Sequence, residues 1–451
     1  MPEKYDIAII GGGPGGHAAA VHSARHGARV AIIENRGWGG TCTHRGCIPT
    51  KALLTCSHQY AGLSRLKRFG VAVAGQSFDF SAMKRHQTQL VRVAAMGAEK
   101  QLKDAGVAHM IGRATIISPN EILNLSADGR EDRLQTKRIV VAWGSEPQLP
   151  PGVTLADRVF TSDGMLALDR LPARVLIVGG SVIGVEFATF LAELSVQVTL
   201  VELLDRLLPG EEKELSDFVA QIMGRLGVAV HTATRMKTIK ETPEGVQTEA
   251  EKETGEELTL PADCILVCTG RKPCLHEEEL AALGIQYDRK GIAVDAQQRT
   301  TCENVFAIGD VTGGMMLAHR AAQQGKALAG RLFGDGSVLY GDEAVPAVIY
   351  THPNVARVGL TEAEAQRQGL SVDVVRSDYG ANIMARAELQ GQGFAKLIFH
   401  KGRLVGASIA GEQAGNLIAS MSLAVTAGVS LDAWKSWILP HPTVAEVMSY
   451  D

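Results

Sequence analysis

The sequence YDIAIIGGGPGG, residues 5–16, decides the fold of the first part of the chain. An apolar strand leads into Gly11-x-Gly13-x-x-Gly16, and a helix is predicted to follow as far as residue 25. The glycines permit a tight turn, and the helix start offers N–H groups and a positive dipole to a pyrophosphate. A second strand, residues 29–33, ends at Glu34, which is placed to bind an adenosine ribose. We predict a dinucleotide-binding βαβ unit; the alternative is a glycine-rich turn without a ligand.

A second unit of the same kind begins with ARVLIVGG. Its turn contains Gly179, Ser181 and Gly184, so serine stands where the middle glycine is expected. The serine adds a Cβ where the backbone should approach a phosphate, although its hydroxyl offers the phosphate a hydrogen bond. A structural turn without a ligand is the alternative. The second strand ends at Glu202, which favours NAD over NADP because a carboxylate would repel a 2′-phosphate.

The remaining pattern predicts an α/β protein with two such nucleotide-binding domains and a C-terminal α+β domain. Residues 57–106 indicate mainly helix, residues 136–143 a return strand, and residues 240–257 a solvated hairpin. From about residue 342, short segments typical of antiparallel strands precede two helices. We place the domain boundaries at 1–149, 150–271, 272–336 (a segment that completes the first nucleotide site) and 337–451.

Composition excludes several classes of protein. The 451 residues carry a formal net charge of −4, which does not favour nucleic acid or an anionic membrane as partner. No apolar run approaches the ~20 residues that span a bilayer. The sequence begins without a basic and apolar leader, and its seven cysteines are an odd number, so we expect a cytoplasmic protein without a secreted disulfide framework.

Two cysteines, Cys42 and Cys47, lie in GGTCTHRGCIPTK shortly after the first glycine turn. A close pair beside a nucleotide site indicates thiol–disulfide chemistry in a cytosolic protein. Five residues of ideal helix rise ~7.5 Å, too far for a disulfide, so the helix must be distorted, and Gly46 gives that freedom. Two unpaired buried thiols are the alternative, and we predict no metal site because no second pair accompanies this one.

The chain resembles the flavin-dependent pyridine nucleotide–disulfide oxidoreductases over essentially its whole length. The resemblance rests on the first glycine turn, GGTC….GCIPTK, the second turn, FAIGD, LAHRAA, YTHPNVARVGLT and HPT near the end. It implies that the first site holds FAD and the second NAD. It also implies a Cys42–Cys47 redox disulfide, with oxidation of dihydrolipoamide by NAD as the best-supported reaction.

The resemblance assigns roles residue by residue. Cys42 corresponds to the thiol that exchanges with substrate and Cys47 to the thiol against the flavin, while Lys51 and Glu186 correspond to a pair near the flavin. His441 and Glu446 correspond to an acid–base pair that reaches Cys42 of a second protomer, which implies a homodimer. The cofactor contacts are Gly11, Gly13, Gly16, Glu34, Gly40, Thr41, Lys51, Gly144, Gly309, Asp310, Ala318 and His319 for FAD, and Gly179, Ser181, Gly184, Glu202 and Gly270 for NAD.

Each of these roles has a structural alternative. Lys51 could be an exposed helix lysine, Asp310 a turn residue, and His319 or His441 a structural histidine. The resemblance also implies a partner that carries a lipoyl group, such as a 2-oxo acid dehydrogenase complex or a glycine-cleavage complex.

Two departures from the family pattern bear on the substrate. Trp143 replaces a small residue, and Thr43, His44 and Arg45 replace apolar or amide residues between the cysteines. The basic pair could lower the pKa of a thiol or favour an anionic substrate. A reductase of another disulfide, such as glutathione, or of a metal ion is therefore one rival. A non-catalytic NAD-sensing or complex subunit is the other.

Overall fold

The computed structural model describes residues 4–449, and the outermost residues of the first and last predicted domains lie outside this range. The described chain divides into two compact units. The first combines the chain up to Ala52 with Ser81–Gln148 and Arg271–Tyr340; the second combines Leu53–Phe80, Leu149–Gly270 and the chain from Gly341 onward. Among residues 4–449, no helix is both long enough and apolar enough to cross a lipid bilayer.

The first unit is built around a parallel sheet, as the glycine turn predicts. Its strands, in spatial order, are Val305–Ala307, Ile139–Val141, Ile7–Ile10, Val30–Glu34 and Ala108–Ile111. The central strands are buried on both faces, which is why they consist of continuous Ile, Val and Ala. The helices of this unit are Pro14–Arg25, Gly40–Arg45, Phe80–Asp104, Glu277–Ala282 and Ala318–Phe333, with a 3₁₀ turn at Gly309–Thr312, and Cys47–Gly62 begins here and continues into the second unit.

Helix Ala318–Phe333 packs on the start of helix Pro14–Arg25 at very short range. A Cβ on Gly325 of Ala318–Phe333 would overlap the carbonyl oxygen of Gly15, and a Cβ on Gly15 would lie 3.2 Å from the carbonyl oxygen of Ala321. Only glycine at position 325 permits this approach, and a side chain at position 15 would be a tight fit. The second helix therefore holds the start of Pro14–Arg25, the part that faces a nucleotide, in a fixed position.

A four-stranded sheet in the first unit has no counterpart in the sequence analysis. Its order within the described residues is Lys4–Tyr5, Glu131–Thr136, Glu121–Leu125 and Arg113–Ser118, and the last three are antiparallel. Shorter pairs join Ser145–Pro147 to Arg271–Pro273 and Tyr287–Asp288 to Gly291–Ile292. The predicted return strand over residues 136–143 is shorter, Ile139–Val141, because residue 136 already belongs to this second sheet.

The second unit repeats the parallel architecture. Its strands, in spatial order, are Val159–Phe160, Cys264–Val267, Arg174–Val178, Gln197–Val201 and Ala229–His231. The predicted hairpin is confirmed but starts earlier: Thr234–Thr242 and Gly245–Lys252 are antiparallel, and Glu257–Thr259 adds a third strand. The helices are Ser162–Ala167, Val182–Glu193 and Lys213–Arg225.

The helix predicted across residues 57–106 is interrupted. Cys47–Gly62 passes into a 3₁₀ segment, Leu63–Phe69, and residues 71–79 are not helical before Phe80–Asp104 begins. Gly70 and Gly75 adopt positive φ angles of 79° and 71°, which a helix cannot contain. The prediction of mainly helix over residues 57–106 is therefore confirmed, with a non-helical gap at residues 71–79.

The C-terminal part of the second unit is an α+β domain, as predicted. Its antiparallel sheet has the order Ala347–Ile349, Asn354–Gly359, Arg403–Gly411, Phe394–His400 and Val372–Asp378. Tyr379, Phe399 and Trp434 belong to its buried core, and the indole of Trp434 donates to the carbonyl of Met448 at 3.0 Å. The helices are Glu362–Arg367, Ile383–Ala387, Ala414–Ala427 and Leu431–Lys435, with 3₁₀ turns at Asp342–Ala344, Tyr379–Ala381 and Val444–Met448.

Candidate functional site

The first glycine turn has the geometry of a dinucleotide cradle. Gly11 has φ 110°, and a Cβ there would overlap the carbonyl oxygen of Ala142; a Cβ on Gly16 would overlap the carbonyl oxygen of Gly11. Gly13 is different, because its backbone is extended and a Cβ would meet no protein atom within 4 Å. The first and third glycines are thus required by the fold, whereas the middle one leaves open space in front of the helix.

Glu34 is tied to this turn by its carboxylate. One oxygen accepts from the amide of Gly12 at 2.6 Å, and the other accepts from the amide of Arg36 at 2.8 Å. The side chain is buried at the end of strand Val30–Glu34. The acid predicted to bind a ribose therefore stands beside the turn, fixed by backbone donors.

The segment that carries the cysteines starts against the same turn. Gly40 has φ 59°, and a Cβ there would lie 2.7 Å from the Cα of Gly13. Thr41 follows it in helix Gly40–Arg45. The close contact places the start of the cysteine helix at the open side of the nucleotide turn.

The helix is broken between the two cysteines, as the sequence required. Gly40–Arg45 ends at Gly46, whose φ of −142° and ψ of −111° are not helical, and a new helix starts at Cys47. Both thiols are half-buried, and the side chain of Cys42 is hydrogen-bonded to that of Cys47. The helix break therefore places the two sulfurs next to each other.

Electrostatics separate the two thiols. The hydrogen bond to Cys47 and burial raise the pKa of the Cys42 thiol, and the charge of Lys51 acts in the opposite direction. Two interacting thiols lose their protons in two steps that belong to the pair. The hydrogen bond and burial therefore both disfavour the Cys42 thiolate.

A chain of hydrogen bonds leads from Asp310 away from the turn. The carboxylate accepts from the hydroxyl of Ser145 at 2.6 Å, and that hydroxyl accepts from the guanidinium of Arg271 at 2.8 Å. The amide of Gly309 donates to the side-chain oxygen of Gln324 at 2.7 Å. Sequence reasoning identified Asp310 and Gly309 but missed Ser145, Arg271 and Gln324, which carry no motif signal of their own.

Three other predicted flavin-site residues, Gly144, Ala318 and His319, also lie in the first unit. Gly144 has φ 75° with open space at its Cβ position. Ala318 and His319 begin helix Ala318–Phe333, and the His319 side chain is exposed.

The two departures from the family pattern are accommodated by local contacts. The indole of Trp143 stacks on His276 with ring centroids 4.2 Å apart and 19° between planes. The His44 ring lies 3.1 Å from the carbonyl oxygen of Trp38. His44 is therefore directed toward the protein backbone.

The second glycine turn repeats the first with one substitution. Gly179 has φ 110° and faces the carbonyl of Cys268, while a Cβ on Gly184 would overlap the carbonyl oxygen of Gly179. Ser181 has φ −70° and ψ 174°, and its hydroxyl donates to the carbonyl of Cys268 at 2.7 Å and accepts from the amide of Gly184 at 3.4 Å. The hydroxyl thus caps its own helix, and a bond from it to a phosphate stays a prediction.

Glu202 is bound to this turn as Glu34 is to the first. Its carboxylate accepts from the amides of Gly180 at 2.6 Å and Leu204 at 2.8 Å. The guanidinium of Arg206 donates to the carbonyls of Pro209 at 3.1 Å and Glu211 at 3.3 Å. Arg206 is thus hydrogen-bonded to backbone carbonyls, and the Glu202 carboxylate is the charged group that contacts the turn.

Two further predicted residues lie in the second unit. Gly270 has φ 114° and open space at its Cβ position after strand Cys264–Val267. Glu186 is buried in helix Val182–Glu193 and accepts from the amide of Tyr350 at 3.1 Å. Its pairing with Lys51 stays a prediction.

His441 and Glu446 form the predicted pair. Nδ1 of His441 lies 2.8 Å from the Glu446 carboxylate, whose second oxygen accepts from the amide of Thr443 at 3.0 Å. These hydrogen bonds, from the Thr443 backbone first and from His441 second, lower the pKa of Glu446. The imidazole is 75% exposed in the single chain, so a carboxylate-oriented histidine is presented outward.

The observed turns fit the two dinucleotides that the resemblance implies. The helix start at Gly13 has no side-chain cap, and the space over that glycine is open, which suits a pyrophosphate on backbone N–H groups. In the second turn the Ser181 cap uses one of those donors, but Glu202 remains beside the turn.

Family models match nearly the whole chain. The description "Pyridine nucleotide-disulphide oxidoreductase" matches residues 5–325, and the dimerisation domain of the same family matches residues 345–451. A protein named dihydrolipoyl dehydrogenase from Chlorobaculum tepidum is 35% identical, covering 99% of this chain and 96% of its own. One of the same name from Bacillus subtilis is 34% identical over 99% of this chain and 95% of its own.

Solved structures agree with this assignment of the fold. The HOCl-induced flavoprotein disulfide reductase RclA from Escherichia coli, determined as a Cu(II) complex, has a TM-score of 0.86 and 28% identity, covering 99% of this chain and 98% of its own. LpdA from Mycobacterium tuberculosis has a TM-score of 0.91 at 24% identity, covering 98% of each chain, and supports the fold alone.

Proposed function

Because the chain belongs to the pyridine nucleotide-disulphide oxidoreductases, we propose that it oxidises the dithiol of a dihydrolipoyl group with NAD, through FAD and the Cys42–Cys47 pair. Curated relatives named dihydrolipoyl dehydrogenase at 34% and 35% identity support this reaction over the full chain. The observation that carries the proposal is the helix break at Gly46, which brings the thiols of Cys42 and Cys47 together beside a nucleotide turn.

The first unit would hold the flavin. Gly11, Gly13 and Gly16 would receive the pyrophosphate, Glu34 the adenosine ribose, and Asp310 the ribityl chain, with Ser145 and Arg271 fixing the Asp310 carboxylate. When bound, FAD accepts two electrons from the dithiol and passes them to NAD. The protein supplies position and charge for that transfer.

The thiol exchange itself is carried out by the two cysteines. One substrate thiolate attacks the sulfur of Cys42, the Cys42–Cys47 bond breaks, and Cys47 leaves as a thiolate. The second substrate thiolate then attacks the substrate sulfur of the mixed disulfide, which releases Cys42 and forms the substrate disulfide. The substrate loses two electrons and two protons, and the cysteine pair gains the electrons.

Proton transfer is assigned to His441. A neutral imidazole can accept the proton of a substrate thiol and make it a nucleophile. Glu446 orients the ring through Nδ1 and stabilises the imidazolium that forms. The high exposure of the ring in one chain agrees with action on Cys42 of a second protomer, and hence with a homodimer.

The second unit would hold NAD. Glu202 would bind the ribose 2′-hydroxyl and oppose a 2′-phosphate, and Arg206 is engaged with backbone carbonyls. A protein-bound lipoyl group, as in a 2-oxo acid dehydrogenase or glycine-cleavage complex, is the proposed physiological substrate.

The direct test is steady-state oxidation of dihydrolipoamide with NAD by the wild-type enzyme and by Cys42→Ser. We expect turnover by the wild type and none by the variant, which should keep its flavin because Cys42 is not among the cradle residues. Cys302→Ser, a half-buried thiol elsewhere in the first unit, is the matched control and should turn over normally. Equal turnover by Cys42→Ser and Cys302→Ser would refute the proposal.

A second candidate is reduction of a different disulfide or of a metal ion with NADH. The similarity to RclA and the polar Thr43-His44-Arg45 segment between the cysteines favour it. A panel of glutathione disulfide, lipoamide and Cu²⁺ with NADH separates the two: the best kcat/KM with lipoamide supports the first proposal, and the best kcat/KM with another acceptor supports the second.

A further inference from the structure

A buried polar cluster in the second unit takes no part in the proposed reaction. At its centre is Glu193, the last residue of helix Val182–Glu193, whose side chain is 1% exposed. His58 of helix Cys47–Gly62 and His352 of the loop before Asn354–Gly359 both face it. Three segments that are distant in sequence therefore converge on one carboxylate.

The distances within the cluster resemble those around a bound ion. Nδ1 of His352 lies 3.1 Å and Nδ1 of His58 lies 3.4 Å from the same oxygen, Oε1 of Glu193. One ligand atom of each residue lies within 4.8 Å of the others. Ligands of tetrahedral zinc at their usual bond lengths are about 3.3 Å apart, so the two measured separations match edges of such a tetrahedron.

Neighbouring side chains hold the three groups in place. The hydroxyl of Ser57 donates to Oε2 of Glu193 at 2.6 Å, which leaves Oε1 directed at the two rings. Nε2 of His352 lies 3.2 Å from the side-chain amide of Gln390 and 3.3 Å from the guanidinium of Arg65. Such outer contacts are what orient the ligands in metal sites.

We propose that His58, Glu193 and His352 bind one divalent cation of the zinc class. Two imidazole nitrogens and one carboxylate oxygen suit a borderline cation with nitrogen and oxygen ligands, and water would complete the fourth position. His58 is 31% exposed and provides the entry path from solvent.

The hydrogen bonding must change in a defined way when the ion binds. Without the ion, Nδ1–H of each imidazole points at the carboxylate of Glu193. In the loaded site each imidazole presents the Nδ1 lone pair and carries its proton on Nε2, so no proton leaves the ring. The Nε2–H of His352 then needs an acceptor, which the Gln390 amide supplies by a half-turn, and Arg65 moves aside.

The charge states agree with this use. Burial lowers the pKa of His352. For Glu193, burial acts to raise the pKa, but hydrogen bonds from His352, His58 and Ser57 outweigh it and set the pKa to about 2. A neutral imidazole at His352 and an ionised carboxylate at Glu193 are forms that bind a cation.

The ion would join three parts of the second unit. It would link the helix that begins at Cys47, the end of the helix that begins at the second glycine turn, and the loop between the first two strands of the C-terminal sheet. No local spacing reveals such a site, because Glu193 and His352 are 159 residues apart in sequence, which is why the sequence predicted no metal.

The test is Zn²⁺ binding by the flavin-loaded enzyme with its Cys42–Cys47 pair oxidised. Metal is removed with a chelator, and Zn²⁺ is then titrated in competition with a chromophoric chelator. We expect one Zn²⁺ per chain, and a loss of affinity of at least ~10-fold in His58→Gln and in Glu193→Gln. His86→Gln, an exposed histidine of helix Phe80–Asp104, and Cys56→Ser are matched controls and should bind as the wild type does.

Replacing one protein ligand by another distinguishes loss of metal coordination from loss of folding. His58→Cys keeps a zinc ligand at the same place, so it should retain the metal, and its cobalt form should gain a sulfur-to-metal charge-transfer band that the wild type lacks. Flavin absorbance and circular dichroism verify that each variant is folded. Less than one Zn²⁺ per wild-type chain, or equal affinities for His58→Gln and His86→Gln, would overturn the proposal, whatever the dithiol turnover.

Discussion

The two glycine turns are the same device with one residue changed. In both, an amide of the turn donates to a carboxylate at 2.6 Å, and 22 residues separate donor and acceptor. In both, the first glycine has φ 110°. The middle residue is Gly13 in one and Ser181 in the other, with nearly identical backbone angles.

The difference teaches what the middle glycine is for. Since Ser181 adopts the same backbone as Gly13, the position does not need glycine for its conformation. It needs glycine for space and for uncapped N–H groups, which Gly13 leaves to a ligand and Ser181 partly uses itself. An uncapped turn suits a cofactor that stays bound, and a capped one suits a cofactor that exchanges.

The largest expected effect separates the dithiol half-reaction, next to the first turn, from reduction of the flavin by NADH, which binds at the second turn. In the proposed mechanism His441 is the proton acceptor for the dithiol, so we expect His441→Gln to lower dithiol turnover roughly 10²–10⁴-fold, the usual range for losing a general base. Reduction of the flavin by NADH should persist, because that hydride transfer needs no thiol proton. Stopped-flow measurement of both half-reactions checks this.

Mixed dimers refine the same prediction. Heterodimers of His441→Gln with Cys42→Ser should regain about one active site if the histidine serves the other protomer. No recovery in verified heterodimers would mean that the histidine acts within its own chain or has no part in the reaction.

The next effect concerns space over the first turn. Gly13→Ser should fold, because the backbone is extended and the Cβ meets no protein atom. FAD affinity should fall roughly 10–100-fold, the equivalent of ~1–3 kcal/mol of overpacking against the cofactor. Fluorescence titration of the apoenzyme with FAD measures the Kd. An unchanged Kd would show that the first turn does not need glycine at its middle position to bind FAD.

A smaller effect concerns the acid of the second turn. Glu202→Ala removes a negative charge from the place where a 2′-phosphate would lie, so the preference for NAD over NADP in kcat/KM should narrow by at least ~10-fold, or ~1.4 kcal/mol. Glu241→Ala, on the hairpin, is a control of the same charge change. A preference that does not move would show that selectivity lies elsewhere.

The smallest expected effect is that of Ser181→Gly, the opposite change in the second turn. Ser181→Gly loses a helix cap, which costs only a few tenths of a kcal/mol when glycine replaces serine, so KM for NAD should change by less than about threefold. Thermal unfolding and KM are measured together. A KM change as large as the effect of Gly13→Ser on FAD would mean that the Ser181 hydroxyl binds the cofactor.

Sequence predicted best those parts of the molecule where the fold requires a particular residue type, such as glycine. The parallel sheets, helix Pro14–Arg25 and the break at Gly46 followed from glycines at positions that require positive φ, close approach or an interrupted helix. The late antiparallel sheet followed from strand-like alternation.

Other features could not be predicted because they depend on tertiary contact. The sheet that contains Arg113–Ser118 is formed by half-exposed strands whose mixed polar residues give no clear period. Ser145 and Arg271 matter only because the fold brings them to Asp310. The site roles and the domain boundaries stay predictions that the experiments above address.

The helix break at Gly46 has a consequence for how far the chain must move during thiol exchange. The two thiols belong to two helices that meet end to end, Gly40–Arg45 and Cys47–Gly62. Joining or separating the sulfurs then turns side chains and leaves the backbone hydrogen bonds of both helices in place. Exchange at the sulfurs therefore needs little reorganisation of the backbone in this segment.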